Sequence, residues 1–163
     1  MMEIRPVKIE DSQALAAIYR YYVENTSFTF EEVAPTSEEM AERIHSIAKA
    51  FPYYVACNDQ GQVLAYAYAH PFHERSAYRY SAEISIYSQV NKSEKGLGTA
   101  LYQTVERDLK AQGIKTILAL VTADNQVSIN FHQKNGYQLV GHLHQVGYKF
   151  DQWLDTVYLE KHI

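Results

Sequence analysis

The chain has 163 residues, 47% of them apolar and 21% charged, with a net charge of −4. A domain of that length buries roughly two-thirds of the surface its unfolded chain exposes, so one domain over residues 1–163 is expected and disorder is not. The acidic balance argues against a nucleic-acid partner, which needs a basic face, but leaves room for a small local anion site.

Glu3 to Val7 reads as a short strand. Asp11-Ser12 then supplies an N-cap, and Leu15, Ile18, Tyr19 and Tyr22 recur at helical spacing up to Asn25. Thr36 and Glu39 have the capping-box spacing, with Met40, Ile44 and Ile47 as the stripe of a second helix. Tyr53 to Cys57 and Val63 to Ala69 read as strands joined by the turn Asn58-Asp59-Gln60-Gly61, and His70-Pro71 is expected to stop the second. Ser81 to Ser88 is a further strand, with Ile84 and Ile86 on one face and Glu83, Ser85 and Tyr87 on the other. After a loop, Leu97, Leu101, Val105 and Leu109 mark a strong helix that ends near Gly113. Thr116 to Thr122 is a nearly continuous apolar strand, expected to be covered on both faces. Val127 to Asn135 is a short helix stopped by Gly136, and strands from Leu139 to Tyr148 and Trp153 to Glu160 close the chain. The order β-α-α-β-β-β-α-β-α-β-β predicts an α/β (α+β) fold: a mixed sheet with helices on both sides.

The single cysteine, Cys57, excludes an intrachain disulfide and suits a reducing compartment. No apolar run reaches the ~18 residues of a membrane span, and Met1 to Pro6 has no signal-like apolar region. The expectation is a cytoplasmic protein without a membrane partner. Tyrosine is in excess, 14 against 6 phenylalanines and 1 tryptophan. Its apolar body and polar tip suit either a half-wet pocket or Tyr-rich strands.

Two signals carry chemistry. The first is strand, loop, Gly96-Leu97-Gly98, helix. Glycines let backbone approach a ligand, and the free amides of a helix start suit a phosphate or pyrophosphate, with Lys92 and Lys95 adding positive charge. Neither the dinucleotide fingerprint nor a P-loop fits these residues. The second is Asn125-Gln126-Val127-Ser128-Ile129-Asn130-Phe131-His132, followed by Gly136-Tyr137.

Together, about thirty residues apart, these segments resemble the GNAT acyl-CoA N-acetyltransferase superfamily, and the likeness covers the whole chain. It is closest to the phosphinothricin and methionine-sulfoximine N-acetyltransferase branch, on Arg75-Ser76-Ala77-Tyr78, Ala82-Glu83-Ile84-Ser85-Ile86-Tyr87, the glycine loop, Phe131-His132 and Gly147-Tyr148-Lys149 with Trp153 and Asp155. Ser93 departs from it, standing where Gln or Arg is usual.

The resemblance implies the GNAT fold: a central sheet of six to seven strands, about four helices, and acetyl-CoA between the fourth and fifth strands. It implies transfer of an acetyl group to the amine of a small amino-acid-like substrate with an anionic or polar head, and a homodimer. Resistance enzymes and detoxifiers of modified amino acids share such a pocket. Glu83 is the implied general base, acting through a water; partial burial in an apolar strand would tune it. His132 stands where many relatives have Tyr, with the roles of general acid and second base both open. A bulge at the end of the Glu83 strand is implied, exposing amides near Tyr87 and Ser88 to the developing oxyanion. The implied acetyl-CoA contacts are Ser85, Ile86, Tyr87, Ser88, Ser93, Glu94, Lys95, Gly96, Leu97, Gly98, Thr99, Asn125 and Ser128. The implied substrate contacts are Phe30, His73, Arg75, Tyr78, Ser85, Tyr87 and Tyr102, Arg75 by a bidentate grip on an anionic head. Two rival readings are a different small amine and a non-catalytic acyl-CoA-binding module; the latter would not need Glu83 or His132. No metal is expected: His70-x-x-His73-Glu74 and the pair His142 and His144 each lack a third ligand at suitable spacing.

Overall fold

The computed structural model describes residues 1–92 and 94–163; Ser93 of the glycine loop lies outside them. Seven strands, β1 (Glu3–Pro6), β2 (Tyr53–Cys57), β3 (Val63–Pro71), β4 (Ser81–Ser88), β5 (Thr116–Thr122), β6 (Gln138–Lys149) and β7 (Gln152–His162), form one sheet in the order β1-β2-β3-β4-β5-β7-β6. Four helices, α1 (Ser12–Asn25), α2 (Ser37–Ala48), α3 (Leu97–Ala111) and α4 (Gln126–Lys134), cover it. The element order is the one the periodicities predict. Among the described residues no helix is long and apolar enough to cross a membrane.

Two cores result, one on each face. Leu97, Leu101, Val105 and Leu109 of α3 pack with Ala67, Ala69, Ile84 and Ile117 of the sheet. Leu15, Ile18, Tyr19 and Val23 of α1 and Met40 and Ile44 of α2 pack with Tyr53, Val55 and Tyr66 on the other. Each fully buried Leu or Ile contributes about 1.5–3 kcal/mol. The predicted cap of α2 forms: Thr36 Oγ1 accepts from the Glu39 amide at 3.1 Å, an interaction of about 1 kcal/mol.

The expected cap of α1 does not form, since the Asp11 carboxylate accepts from Arg5 instead; three further differences from expectation shape the site. First, β3 does not stop at His70-Pro71; it continues to Pro71, opposite Ala82. Gln89 N donates to Leu64 O, and the two-residue period of an antiparallel ladder then makes His70/Glu83 a hydrogen-bonded pair and Pro71/Ala82 a non-bonded one. Proline's missing N–H is therefore harmless there. Second, β4 carries no bulge: its register with β3 is unbroken from Pro71/Ala82 to Ala65/Ser88. The sheet opens instead because β4 leaves β5, with which it pairs in parallel only through Ser81/Thr116, Ala82/Ile117 and Glu83/Leu118. Third, β5 is not covered throughout, since Leu120 beyond that divergence is 45% exposed.

Candidate active site

The divergence leaves a cleft of about 840 Å³ between β4 and β5. The ladder period places the amides of Ser85 and Tyr87 towards β3 and those of Ile84, Ile86 and Ser88 towards the gap. The strand edge is thus open to an extended ligand arm. Tyr22 of α1 fixes its far end, donating its hydroxyl proton to Ser88 O at 2.6 Å.

The glycine loop forms one end of the cleft. Gly96 is the N-cap of α3, with φ +84°, a left-handed conformation that suits glycine. Among the described residues no side chain caps this helix, and Gly98 and Thr99, whose first-turn amides have no intrahelical partner, line the cleft. Gly98 allows a close approach: a Cβ there would meet Phe131 Cε2 at 2.9 Å. Opposite stands the start of α4, where Asn125 Oδ1 accepts from the Ser128 amide at 3.2 Å. Glu94, Gly96, Leu97, Gly98, Thr99, Asn125 and Ser128 all line the cleft together with Ser85, Ile86, Tyr87 and Ser88. Lys95 is exposed and, like Lys92, does not line it.

Glu83 occupies the hinge of this arrangement. It is the last β4 residue paired with β5, and its strand neighbours Ile84 and Ser85 line the cleft. Its Oε2 lies 2.8 Å from His70 Nε2. The other ring nitrogen, Nδ1, lies 3.0 Å from Pro71 O. A carbonyl and a carboxylate can only accept, so both ring nitrogens carry protons in an imidazolium that bridges them. Burial pushes the His70 pKa down, but the Glu83 carboxylate outweighs it and the net shift is upward. Burial, and then the nearby Glu83 carboxylate, push the pKa values of Tyr68 of β3 and Tyr158 of β7 up.

A second hollow, of about 610 Å³, lies beyond His70 and is lined by Pro71, Phe72, His73, Glu74, Arg75 and Tyr78. The expected substrate residues His73, Arg75 and Tyr78 are therefore together, but apart from the cleft. Arg75 is exposed and makes no ion pair among the described residues. Phe30 lines neither hollow; its ring lies where a side chain on Gly147 of β6 would project.

His132 and Tyr102 are joined. His132 is 2% exposed and Tyr102 1% exposed, and the Tyr102 hydroxyl lies 2.7 Å from His132 Nε2. His132 Nδ1 lies 2.7 Å from Ser128 O, which can only accept. Nδ1 therefore carries the proton, Nε2 is bare, and Tyr102 donates to it. Burial pushes the His132 pKa down and the Tyr102 pKa well up, so both groups are neutral near pH 7. Both line the cleft.

Two residues outside the acetyltransferase motifs adjoin the site, His70 and Tyr22. The tyrosine excess has a clear home. Tyr66 faces Tyr87 across the ladder, Tyr68 faces Ser85, and His70 faces Glu83. Tyr19 and Tyr22 of α1 close edge-on over Tyr87, with ring centroids 4.9 Å and 5.3 Å away.

A family model described as the acetyltransferase (GNAT) domain matches residues 4–158. The chain is 35% identical to a phosphinothricin N-acetyltransferase of Alcaligenes faecalis, over 97% of this chain and 81% of that protein. It is 30% identical to an L-methionine sulfoximine/L-methionine sulfone acetyltransferase of Pseudomonas aeruginosa, over 96% of this chain and 92% of that protein. A phosphinothricin acetyltransferase of Sinorhizobium meliloti, crystallised with AcCoA, superposes with a TM-score of 0.94 at 34% identity, over 99% of this chain and 88% of that one.

Proposed function

The chain belongs to the GNAT acetyltransferase family, and on that premise we propose that it transfers the acetyl group of acetyl-CoA to the primary amine of a small amino-acid-like molecule of the phosphinothricin, methionine sulfoximine or methionine sulfone class. The observation that carries this reading is the position of Glu83, whose strand neighbour Ile84 lines the open-edged cleft and whose ladder partner His70 immediately precedes Pro71 of the Arg75 hollow. The cleft suits the donor. Its free α3 amides match a pyrophosphate, and its unpaired β4 edge matches the amides of a pantetheine arm. Arg75 offers two parallel hydrogen bonds to a carboxylate or phosphinate head.

In this reading Glu83 takes the amine's proton, through a water, as nitrogen attacks the thioester carbonyl. The Ile86 and Ser88 amides, facing the gap, stabilise the negative charge that develops on the carbonyl oxygen. The C–S bond breaks, and the departing sulfur receives a proton in place of the one the amine lost. His70, 2.8 Å from Glu83 Oε2, fixes the direction of that carboxylate's lone pairs. The exposed apolar side chains Leu139, Val140, Leu143, Val146 and Trp153 on β6 and β7 suit a homodimer, whose mass light scattering would read.

The direct test is release of free thiol from acetyl-CoA in the presence of methionine sulfone, methionine sulfoximine and phosphinothricin. Acceleration by at least one of them is expected; a rate that no amine raises would reject the enzyme reading.

Two further outcomes are expected. Gly98→Val should raise the acetyl-CoA dissociation constant by about 10-fold or more. The added methyls collide with Phe131, and such overpacking costs about 1–3 kcal/mol, close to the amides that bind; calorimetric titration reads it. His70→Gln should destabilise the protein in a pH-dependent way. Because the folded His70 pKa is raised, its stabilisation is complete below the unfolded value of about 6.5 and is lost as pH rises through the folded value. A part-buried pair of this kind is worth on the order of 1 kcal/mol, or roughly 2–4 °C in a chain this long. Melting curves of native and variant proteins should differ by about that much at pH 6 and converge by pH 9. A constant gap would show that His70 acts through packing alone.

A further inference from the structure

The β6–β7 hairpin brings together a cluster that the acetyl-transfer site does not use. His142 and His144 are two residues apart on β6 and project to the same face, with rings stacked at a centroid distance of 4.2 Å. Asp155 comes from β7. Its Oδ2 lies 2.8 Å from His142 Nε2 and 3.3 Å from His144 Nδ1. One donor atom from each of the three residues lies within 4.8 Å of the others. Spacing along the chain gives the histidine pair no third ligand; the hairpin brings Asp155 beside it.

The local backbone explains the convergence. The register slips between Leu143/Thr156 and Gly147/Leu154, so His144, Gln145 and Val146 stand opposite the single residue Asp155. Gln145 adopts φ +52° at this bulge, and its amide donates to Asp155 Oδ1 at 2.8 Å. One carboxylate oxygen is thus tied down and the other is aimed between the imidazoles. Metal-ligating carboxylates are commonly oriented by such a hydrogen bond.

From this geometry we infer that His142, His144 and Asp155 form a binding site for a borderline divalent transition metal, Zn²⁺ in the first instance, outside the acetyl-transfer centre. The donor set is two nitrogens and one oxygen, which suits Zn²⁺, Ni²⁺ or Cu²⁺ and not Mg²⁺ or Ca²⁺. Ligands at about 2.1 Å on a tetrahedron lie roughly 3.4 Å apart; the two histidine–Asp155 spacings are already near that, and the three donor atoms, within 4.8 Å of one another, converge by side-chain rotation. All three side chains are partly or largely solvent-accessible, which leaves the fourth position to water. None of them lines the cleft or the Arg75 hollow. The site is a staple across the hairpin bulge. Asp155 O also accepts from the Ala123 amide at 2.9 Å, which ties the staple to the turn preceding α4.

Calorimetric titration of ZnCl₂ into the chelator-treated full chain, with any polyhistidine tag removed, tests this. One ion per chain is expected, with a melting temperature that rises with Zn²⁺ and does not respond to Mg²⁺. The double variant His142→Gln/His144→Gln, which alters only accessible side chains, should weaken binding at least 10-fold and abolish the thermal shift. Asp155→Asn should weaken binding to a lesser degree. Undiminished binding by the double variant would overturn the site, as would no binding by the native chain. Half an ion per chain accompanied by a doubling of mass would replace it with a site shared between copies.

Discussion

Replacing Glu83 by Gln is expected to lower kcat by about 10²–10⁴-fold, the usual contribution of a positioned general base, while acetyl-CoA binds as before. The two measurements separate because Glu83 lies beside the cleft without lining it: the lining proposed to hold the donor runs from Ser85 and Ile86 to the glycine loop and α4. Gln retains the size and the hydrogen-bonding oxygen but cannot hold a proton taken from an amine. It also loses the charge that His70 answers at 2.8 Å. The side-chain amide would present either oxygen or nitrogen to an imidazole that is free to lose its proton, so the fold should survive. Single-turnover rates with a saturating amine, beside a titration of acetyl-CoA, give both numbers. Near-native turnover would remove Glu83 from the role of base and leave its pairing with His70 a structural contact.

The path to Glu83 shows how far the sequence alone reaches. Elements with strong periodicity are legible: the stripe Leu97, Leu101, Val105, Leu109 lies in the core as expected, and the Thr36 cap forms. The glycine loop and Asn125 are legible as motifs because their backbone roles restrict which residues can serve. What a single strand cannot show is its partner. His70 reads as the end of a strand because proline follows it, yet ladder parity decides whether that proline disrupts anything, and parity requires knowing that Val63–Pro71 pairs with Ser81–Ser88. Once that register is known, His70 falls opposite Glu83. Asp155 is hidden for the same reason: it reaches His142 and His144 only across a hairpin whose bulge shifts the register. The opening at the cleft is likewise not a feature of β4 alone. Divergence from β5 after Glu83/Leu118 belongs to the pair of strands.

Tyr102→Phe is the second large effect, an expected fall in kcat of about 10²-fold with acetyl-CoA affinity little changed. Sequence leaves His132 open between acid and base. The hydrogen bonds favour one of these for the resting site: with Nδ1 committed to Ser128 O at 2.7 Å, Nε2 has no proton to give and can only accept. Burial, which pushes the His132 pKa down, keeps it so at neutral pH. The hydroxyl that it holds, on Tyr102, remains protonated because burial pushes that pKa well up. In the proposed reaction the cleft wall therefore offers the departing sulfur a neutral O–H donor, turned from Nε2 as negative charge develops on sulfur, with His132 as its resting partner. Loss of one such donor to developing charge typically costs about 10²–10³-fold. The variant also strands a buried imidazole nitrogen, at about 1–3 kcal/mol, so its melting temperature should fall by a few degrees. The two readouts decide between roles. A fall in melting temperature with unchanged kcat would make Tyr102 a packing partner of His132 and nothing more, whereas a fall in kcat measured well below the melting transition places its hydroxyl in the transfer step.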